Sequence, residues 1–260
     1  MTGSFREVAV DAATRAGRLL RQHLGGARDV RYKGSPTNLV TEMDHRAEAL
    51  IVDAIRARFP GHAVLAEERG AEGDHSHRWI VDPLDGTTNY AHGLPIYCVS
   101  IALEIDGRVA LGVVYDPSRE ECFVAERGGG ATLNGAPLAV SATATLGESL
   151  IATGYQYDIG RAGRNNLAER AALLRRSHSV RDIGSAVLSQ AAVAAGRLDA
   201  FWELSLGAWD IAAGALLVEE AGGVVTNAAG GLLDLAAPSI VASNGLVHGE
   251  ILKVLAEAAR

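Results

Sequence analysis

The sequence predicts a layered α and β fold, of the α/β (α+β) class, on three observations. Two amphipathic helical patterns open the chain, a β-rich block with hairpin signals fills 62–135, and helix-like and strand-like runs alternate after Ser141.

In the first pattern Phe5, Val8, Ala12, Ala16, Leu19 and Leu20 recur at helical spacing until Gly25 and Gly26 end it. The second spans about 44–59, with Ala47, Leu50, Ile51, Ala54 and Ile55 on one face and Pro60-Gly61 closing it. Thr41 stands at its N-cap position, and Thr41-Glu42-Met43-Asp44 reads as a capping box. Strands are expected at 63–66, 78–82, 97–105, 109–115 and 121–125, with turns at Asp106-Gly107 and Asn134-Gly135, giving a largely antiparallel sheet. Beyond Ser141, strands are expected at 150–153, 199–204, 224–226 and 240–243, and helices at 166–177, 185–195, 209–221 and 246–259. There is no internal repeat and no long linker. The expectation is a single domain over 1–260, with two halves of about 1–140 and 141–260.

Hydrophobic residues make up 48% and charged residues 21%, which excludes disordered and fibrous classes. A net charge of −7 argues against nucleic-acid and acidic-membrane partners, which need clustered Lys and Arg. An anionic ligand would have to meet a local positive feature, such as a bound divalent cation. Cys98 and Cys122 lack metal-ligand spacing and read as buried thiols of a reducing compartment. Residues 1–20 carry Glu7 and Asp11 and no unbroken apolar core, and no apolar run reaches the roughly 18 residues that span a bilayer. A cytoplasmic location is expected.

The chemistry concentrates in Trp79-Ile80-Val81-Asp82-Pro83-Leu84-Asp85-Gly86-Thr87-Thr88-Asn89. An acid ends an apolar strand, and a proline-stiffened turn carries a second acid, so both carboxylates can face one point. Oxygen-only ligation suits Mg²⁺. Gly86 permits close backbone approach, and Thr87 to Asn89 offer N–H groups and hydroxyls to a phosphate. A plain turn with two solvated acids is the alternative. Glu67-Glu68 follows another strand, and Asp210 opens an apolar helix, where it can equally serve as a cap. Glu68 beside Arg69 reads as a surface ion pair. The histidines, with His62, His75 and His77 flanking Glu67, have no zinc-ligand spacing and read as solvated loop residues; His92 alone is expected near a ligand.

With these segments in place, the chain resembles the inositol monophosphatase family of lithium-sensitive sugar and polyol phosphatases. The matching pieces are Lys33 with Asn38 to Asp44, then Ala66-Glu67-Glu68, Trp79 to Asn89, Gly184-Ser185-Ala186, and Trp209 to Gly214. The resemblance implies an alternating αβαβα sandwich of the inositol monophosphatase and fructose bisphosphatase type, assembled as a homodimer. It implies two or three Mg²⁺ per subunit, held by Glu67, Asp82, Asp85, Asp210 and the Leu84 carbonyl. The implied reaction is direct attack of a metal-activated water on phosphorus, with Thr87, Asp44 and Glu67 serving catalysis. Asp85, Gly86 and Thr87 would meet the phosphate, and Gly184, Ala186, Glu203 and Asp210 the polyol. Glu203 can also be read as a surface acid, and Arg181 as a residue that steadies this region.

Asn38 stands where many relatives carry Asp, which puts metal affinity and pH dependence in question. Histidinol phosphate, fructose 1,6-bisphosphate and 3′-phosphoadenosine compounds are alternative substrates on the same fold, and Arg161 and Arg164 keep a more anionic one open. An aspartyl-nucleophile phosphatase fits less well, because its D-x-D spacing differs from Asp82-x-x-Asp85. A non-enzymatic interaction protein is disfavoured by the full set of implied ligands.

Overall fold

The computed structural model describes residues 2–26, 30–32, 39–68, 70–72, 74–156, 159, 165–237 and 239–259. Lys33, Asn38, Arg69, Arg161, Arg164 and the side chain of His75, on which sequence expectations rest, lie outside the described residues.

The chain runs through α1 (Thr2–His23), β1 (Val30–Tyr32), β2 (Leu39–Thr41), α2 (Glu42–Arg58), β3 (His62–Ala66), β4 (Gly70–Glu72), β5 (Asp74–Asp85) and α3 (Thr87–Ala91). Then come β6 (Cys98–Ile105), β7 (Arg108–Asp116), β8 (Glu121–Glu126), β9 (Gly130–Leu133) and β10 (Ala136–Pro137). After a 3₁₀ turn at Leu146–Glu148 follow β11 (Leu150–Thr153), α4 (Leu167–Leu174), β12 (Ser179–Arg181), α5 (Ala186–Ala194), β13 (Ala200–Glu203) and α6 (Ala212–Glu220). The last elements are β14 (Val224–Thr226), β15 (Ile240–Ser243) and α7 (His248–Ala258).

Eight strands form one sheet in the order β10-β9-β8-β7-β6-β5-β3-β4, and five form another, β12-β11-β13-β15-β14. Asp106 and Gly107, like Asn134 and Gly135, all have positive φ, which is the two-residue geometry that matches hairpin twist. The larger sheet is antiparallel except for β3 and β5, which run parallel with Val64 opposite Trp79 and Ala66 opposite Val81. That one parallel pair is not legible from alternation alone, since β4 folds back at the edge and β5 returns on the inner side of β3.

Period-2 alternation sorts the large sheet's side chains to two cores. Trp79 and Val81 of β5 and Val99, Ile101 and Leu103 of β6 face the apolar stripes of α1 and α2. Ile80, Cys98, Ala102 and Val114 point the other way, onto α5 and α6. The small sheet covers the far side of α5 and α6 with Ala152, Phe201 and Ala242, and its outer residues Ile151, Trp202 and Val241 pack under α4 and α7. The result is the five-layer αβαβα order. The larger of these buried side chains are each worth a few kcal/mol; Ile101→Ala would cost about 2–5 kcal/mol. Gly112 of β7 lets α6 lie directly on the sheet, since a Cβ there would stand 2.9 Å from the Ala213 carbonyl oxygen.

Two helices are shorter than their patterns. The segment 209–211 is a turn and α6 begins at Ala212, because the Asp210 carboxylate accepts from the Gly207 N–H and holds the chain back from the helix. α4 ends at Leu174, where the Leu173 carbonyl accepts from Arg176 and Ser177 N–H and the Ser177 hydroxyl. Cys98 is buried, but Cys122 is only partly so, because its strand lies nearer the sheet's edge. Among the described residues no helix is long and apolar enough to cross a membrane.

Candidate active site

The site grows from the end of β5. Opposite β6, Asp82 pairs with Ser100 and Asp85 with Cys98, so three steps on β5 match two on β6 and the strand bulges. Pro83 has no N–H to lose there, and the Leu84 N–H closes the bulge on Asp82 Oδ1 at 2.9 Å. Asp82 and Asp85 are both buried, 1% and 7% exposed, so the alternative of a plain turn with solvated acids does not hold. Gly86 follows at φ +95°, and a Cβ would stand 2.8 Å from the Ile96 carbonyl oxygen; glycine is required on both grounds.

Asp85 is met by the start of α5. Its carboxylate accepts from the Ser185 hydroxyl, from the Val187 N–H at 2.9 Å and from the Ala186 N–H at 3.3 Å, with the Cys98 thiol 3.6 Å away. The Ser185 hydroxyl also accepts from the Leu188 N–H as the helix cap. Burial pushes the Asp85 carboxyl up, and the Ser185 and backbone bonds pull it part of the way back.

Asp210 approaches from the turn before α6. Its Oδ2 accepts from the Gly207 N–H at 2.5 Å, and its main-chain carbonyl accepts from Gln190 Nε2 at 2.7 Å. Carboxylate oxygens of Asp82, Asp85 and Asp210 lie within 4.8 Å of one another. Glu67 stands next to them at the end of β3, its N–H donating to the Val81 carbonyl. Burial, then Glu67, Asp85 and Asp210 in turn, push the Asp82 carboxyl well above the ordinary range. Two buried and two half-buried acids this close together resist joint ionisation without a counter-charge, and a hard divalent cation ligated by oxygen supplies one. The residues therefore fit a metal centre.

Asp44 is reached through the capping box. Its Oδ2 accepts from the Thr41 N–H at 2.8 Å and the Thr41 hydroxyl at 2.6 Å, while the Thr41 hydroxyl accepts from the Met43 N–H. Oδ1 is left for the Thr87 hydroxyl at 3.1 Å, which has the Leu84 carbonyl 2.9 Å away as a second acceptor for its one proton. Asp44 is fully buried, and burial raises its carboxyl while the two Thr41 bonds and Thr87 lower it. Capping and site roles thus meet in one side chain.

Glu67, Asp85, Thr87 and Asp210 border a cavity of about 380 Å³ that also takes in Gly184, Ala186 and Glu203. Glu203, at the end of β13, is 6% exposed and so is no surface acid. Parallel pairing of β11 with β13 brings Gly154 against it, where a Cβ would fall 2.8 Å from the Glu203 Cδ. Asn89 ties the two sides together, its Nδ2 reaching the Ile96 carbonyl at 2.9 Å and the Ile183 carbonyl at 2.8 Å.

Several expectations change. His92 caps the C-terminus of α3, is exposed and does not line the cavity. Arg181, read from the sequence as steadying this region rather than meeting the ligand, is exposed, lies outside the cavity and donates to Ser179 on its own strand. His62 and His77 are not solvated loop residues; their rings stack 4.6 Å apart, and His62 stacks on Phe59 at 4.9 Å. Glu48 of α2 accepts from the Glu68 N–H. Gln190, Gly154 and Asp182 belong to the site without having been singled out, and Ser185 stands in the sequence only within the Gly184-Ser185-Ala186 match, with no role of its own. For Ser185 a signal existed, a hydroxyl residue just before an apolar helical run.

The inositol monophosphatase family model matches residues 2–260. The chain is 44% identical to an inositol-1-monophosphatase of Synechocystis over 97% of its length and 89% of that protein's. It is 43% identical to the Nus factor SuhB of Escherichia coli K12, over 91% and 90%. Among solved structures, an inositol monophosphatase from Anabaena superposes with TM-score 0.90 at 40% identity, covering 98% of this chain and 96% of that one.

Proposed function

This chain belongs to the inositol monophosphatase family and is a phosphatase, and we propose that it hydrolyses myo-inositol 1-phosphate, or a closely related polyol phosphate, in a Mg²⁺-dependent reaction. One observation carries the reading. Three carboxylates, the buried Asp82 and Asp85 and the half-buried Asp210, converge within 4.8 Å beside the Thr87–Asp44 pair, at a cavity whose far wall holds Glu203.

Asp82, Asp85, Asp210, Glu67 and the Leu84 carbonyl would hold two or three Mg²⁺ per subunit. When bound, Mg²⁺ supplies neutralisation of the phosphate oxygens and of the leaving alkoxide and lowers the pKa of the attacking water. Gly86 and Thr87 offer N–H groups to the phosphate at the start of α3, where they have no partner within the helix. The Thr87 hydroxyl passes its proton to Asp44 Oδ1 as it takes one from the water, so Asp44 is the acceptor of the relay and Thr41 fixes its orientation. Glu67 assists from the other side of the site. Glu203, Asp210 and the backbone at Gly184 and Ala186 orient the polyol hydroxyls, which fixes the scissile ester over the carboxylates.

Residues 1–260 act as one domain with halves of about 1–140 and 141–260, as a cytoplasmic homodimer without nucleic-acid or membrane partners. A net charge of −7 supports the last point. The test is phosphate release from inositol, histidinol, fructose and adenosine phosphates with Mg²⁺, with and without Li⁺. Inositol 1-phosphate should lead the panel, and Li⁺ should inhibit. No Mg²⁺-dependent release from any of them refutes the reading.

A further inference from the structure

α5 and α6 touch at Gln190. Gly214 leaves the room for it, since a Cβ there would stand 2.5 Å from Gln190 Oε1 and 2.7 Å from Gln190 Cβ. The Gln190 side chain is fully buried, and only one end of its amide is used. Nε2 has two hydrogens and two acceptors: the Ala186 carbonyl at 3.0 Å, one turn back on α5, and the Asp210 carbonyl at 2.7 Å, just ahead of α6. Oε1 is buried and accepts no hydrogen bond among the described residues. A buried acceptor without a donor is destabilising, and methionine would fill the same space without one. What the glutamine supplies in return is its pair of donors.

Those donors join two of the site's acids. Ala186 belongs to the turn of α5 that holds the Asp85 carboxylate, through the Ser185 hydroxyl, the Val187 N–H at 2.9 Å and the Ala186 N–H at 3.3 Å. Asp210 is itself an acid of the cluster, and its carboxylate is fixed from the other side by the Gly207 N–H at 2.5 Å. A path therefore runs from Asp85 through the first turn of α5 and the Gln190 amide to the Asp210 main chain, with a helix turn as its only spacer. It fixes how far apart the two carboxylates stand. A rigid oxygen cluster favours Mg²⁺, which demands octahedral ligands at about 2.0–2.1 Å, over Ca²⁺, which takes more oxygens at about 2.3–2.6 Å in looser shells.

We propose that Gln190 is a positioning residue that holds Asp210 at a set distance from Asp85 and thereby gives the site its preference for Mg²⁺ over Ca²⁺. This rests on the metal centre of the function proposed above. Gln190 does not line the cavity and acts through Asp210 and Ala186.

The test replaces Gln190 by methionine, and by leucine as a second variant; both keep apolar volume and remove the donors. Binding is read as the rise in Tm when Mg²⁺ or Ca²⁺ is titrated into the chain without substrate. Phosphate release from myo-inositol 1-phosphate is followed over the same Mg²⁺ range. Without metal, each variant should melt within a few degrees of the wild type. The Mg²⁺ midpoint should rise by about tenfold or more, the usual loss when a group that orients a metal ligand is removed. The Ca²⁺ midpoint should rise less, so the preference narrows, and activity should fall far more at limiting than at saturating Mg²⁺. A purely structural role lowers Tm and leaves the ratio of the two midpoints where it was. Unchanged midpoints in a folded variant, or an equal rise in both, overturn the positioning role and leave the phosphatase reading standing. Failure of both variants to fold also overturns it, since the amide is then a requirement of the fold. A wild-type Tm that responds to neither ion overturns the metal centre and this inference with it, whereas the expected midpoints without release from any ester overturn the phosphatase reading alone.

Discussion

The Ser185 hydroxyl donates to Asp85 Oδ2 from 100 residues further along the chain, and Ser185 Oγ itself accepts from the Leu188 N–H to cap α5. One side chain therefore joins the end of β5 to the start of the helix that lies between the two sheets. Ser185→Ala should cost about 1–3 kcal/mol, because it leaves a buried carboxylate short of a donor. It should also raise the Mg²⁺ concentration needed for half-maximal activity. Urea unfolding and a Mg²⁺ titration check both, and Ser185→Thr should restore most of each.

Asp82→Asn or Asp210→Asn should abolish Mg²⁺-dependent phosphate release while the chain stays folded. Each removes one member of a cluster of buried and half-buried acids that repel one another. Without metal the variants should match or exceed the wild type in stability, by on the order of 1 kcal/mol, or about 2–4 °C in Tm. Added Mg²⁺ should raise Tm in the wild type and much less in the variants. An active, folded double variant refutes the metal-site assignment.

Thr87→Val should lower kcat by roughly 10²–10⁴ with little change in KM, since it breaks the relay to Asp44 and spares the carboxylate triangle. Asp44→Asn should do the same, and the double variant should be little worse than either alone. Thr87→Ser keeps the hydroxyl and should keep most of the rate. Steady-state kinetics at saturating Mg²⁺ separate these outcomes.

His248 begins α7 between two hydroxyls, Ser243 Oγ at 2.8 Å from Nδ1 and Thr226 Oγ1 at 3.0 Å from Nε2. Burial holds its imidazole below the ordinary 6.5. Its pKa is lower folded than unfolded, so as pH falls through about 6.5 the unfolded chain takes up the proton first. Its stabilising contribution is whole above that pH, declines below it, and is lost once the folded pKa is passed. In thermal melts at pH 8 and pH 5.5, His248→Asn should show a smaller drop in Tm between the two than the wild type, whatever its starting value.

Local pattern carried far into the site. Asp82 to Thr87 are contiguous, and proline, glycine and two acids in six residues state the bulge, the positive φ and the chemistry together. The capping box was equally legible, because Thr41 and Asp44 are three residues apart. What pattern could not reveal depends on partners distant in sequence. Glu203 reads as either a surface or a buried acid until β13 is known to lie beside β11, and Gly154 has no visible purpose until that pairing places it on the Glu203 carboxylate. Gln190 looks like an ordinary helical residue, yet it holds the Asp210 carbonyl from the neighbouring helix. The His62–His77 stack depends on the parallel pairing of β3 and β5, the one feature of the large sheet that alternation does not encode.

The contact of Gly112 with Ala213 sets a dimension rather than an interaction. Backbone meets backbone there, so the separation of α6 from the sheet has no side chain that can swell, shrink or change rotamer. Asp210 leads into that helix, so the reach of its carboxylate towards Asp82 and Asp85 is calibrated by a hard stop on β7. Core substitutions elsewhere can be absorbed by repacking, whereas even a methyl group at 112 would act as a shim and draw the third acid away from the other two.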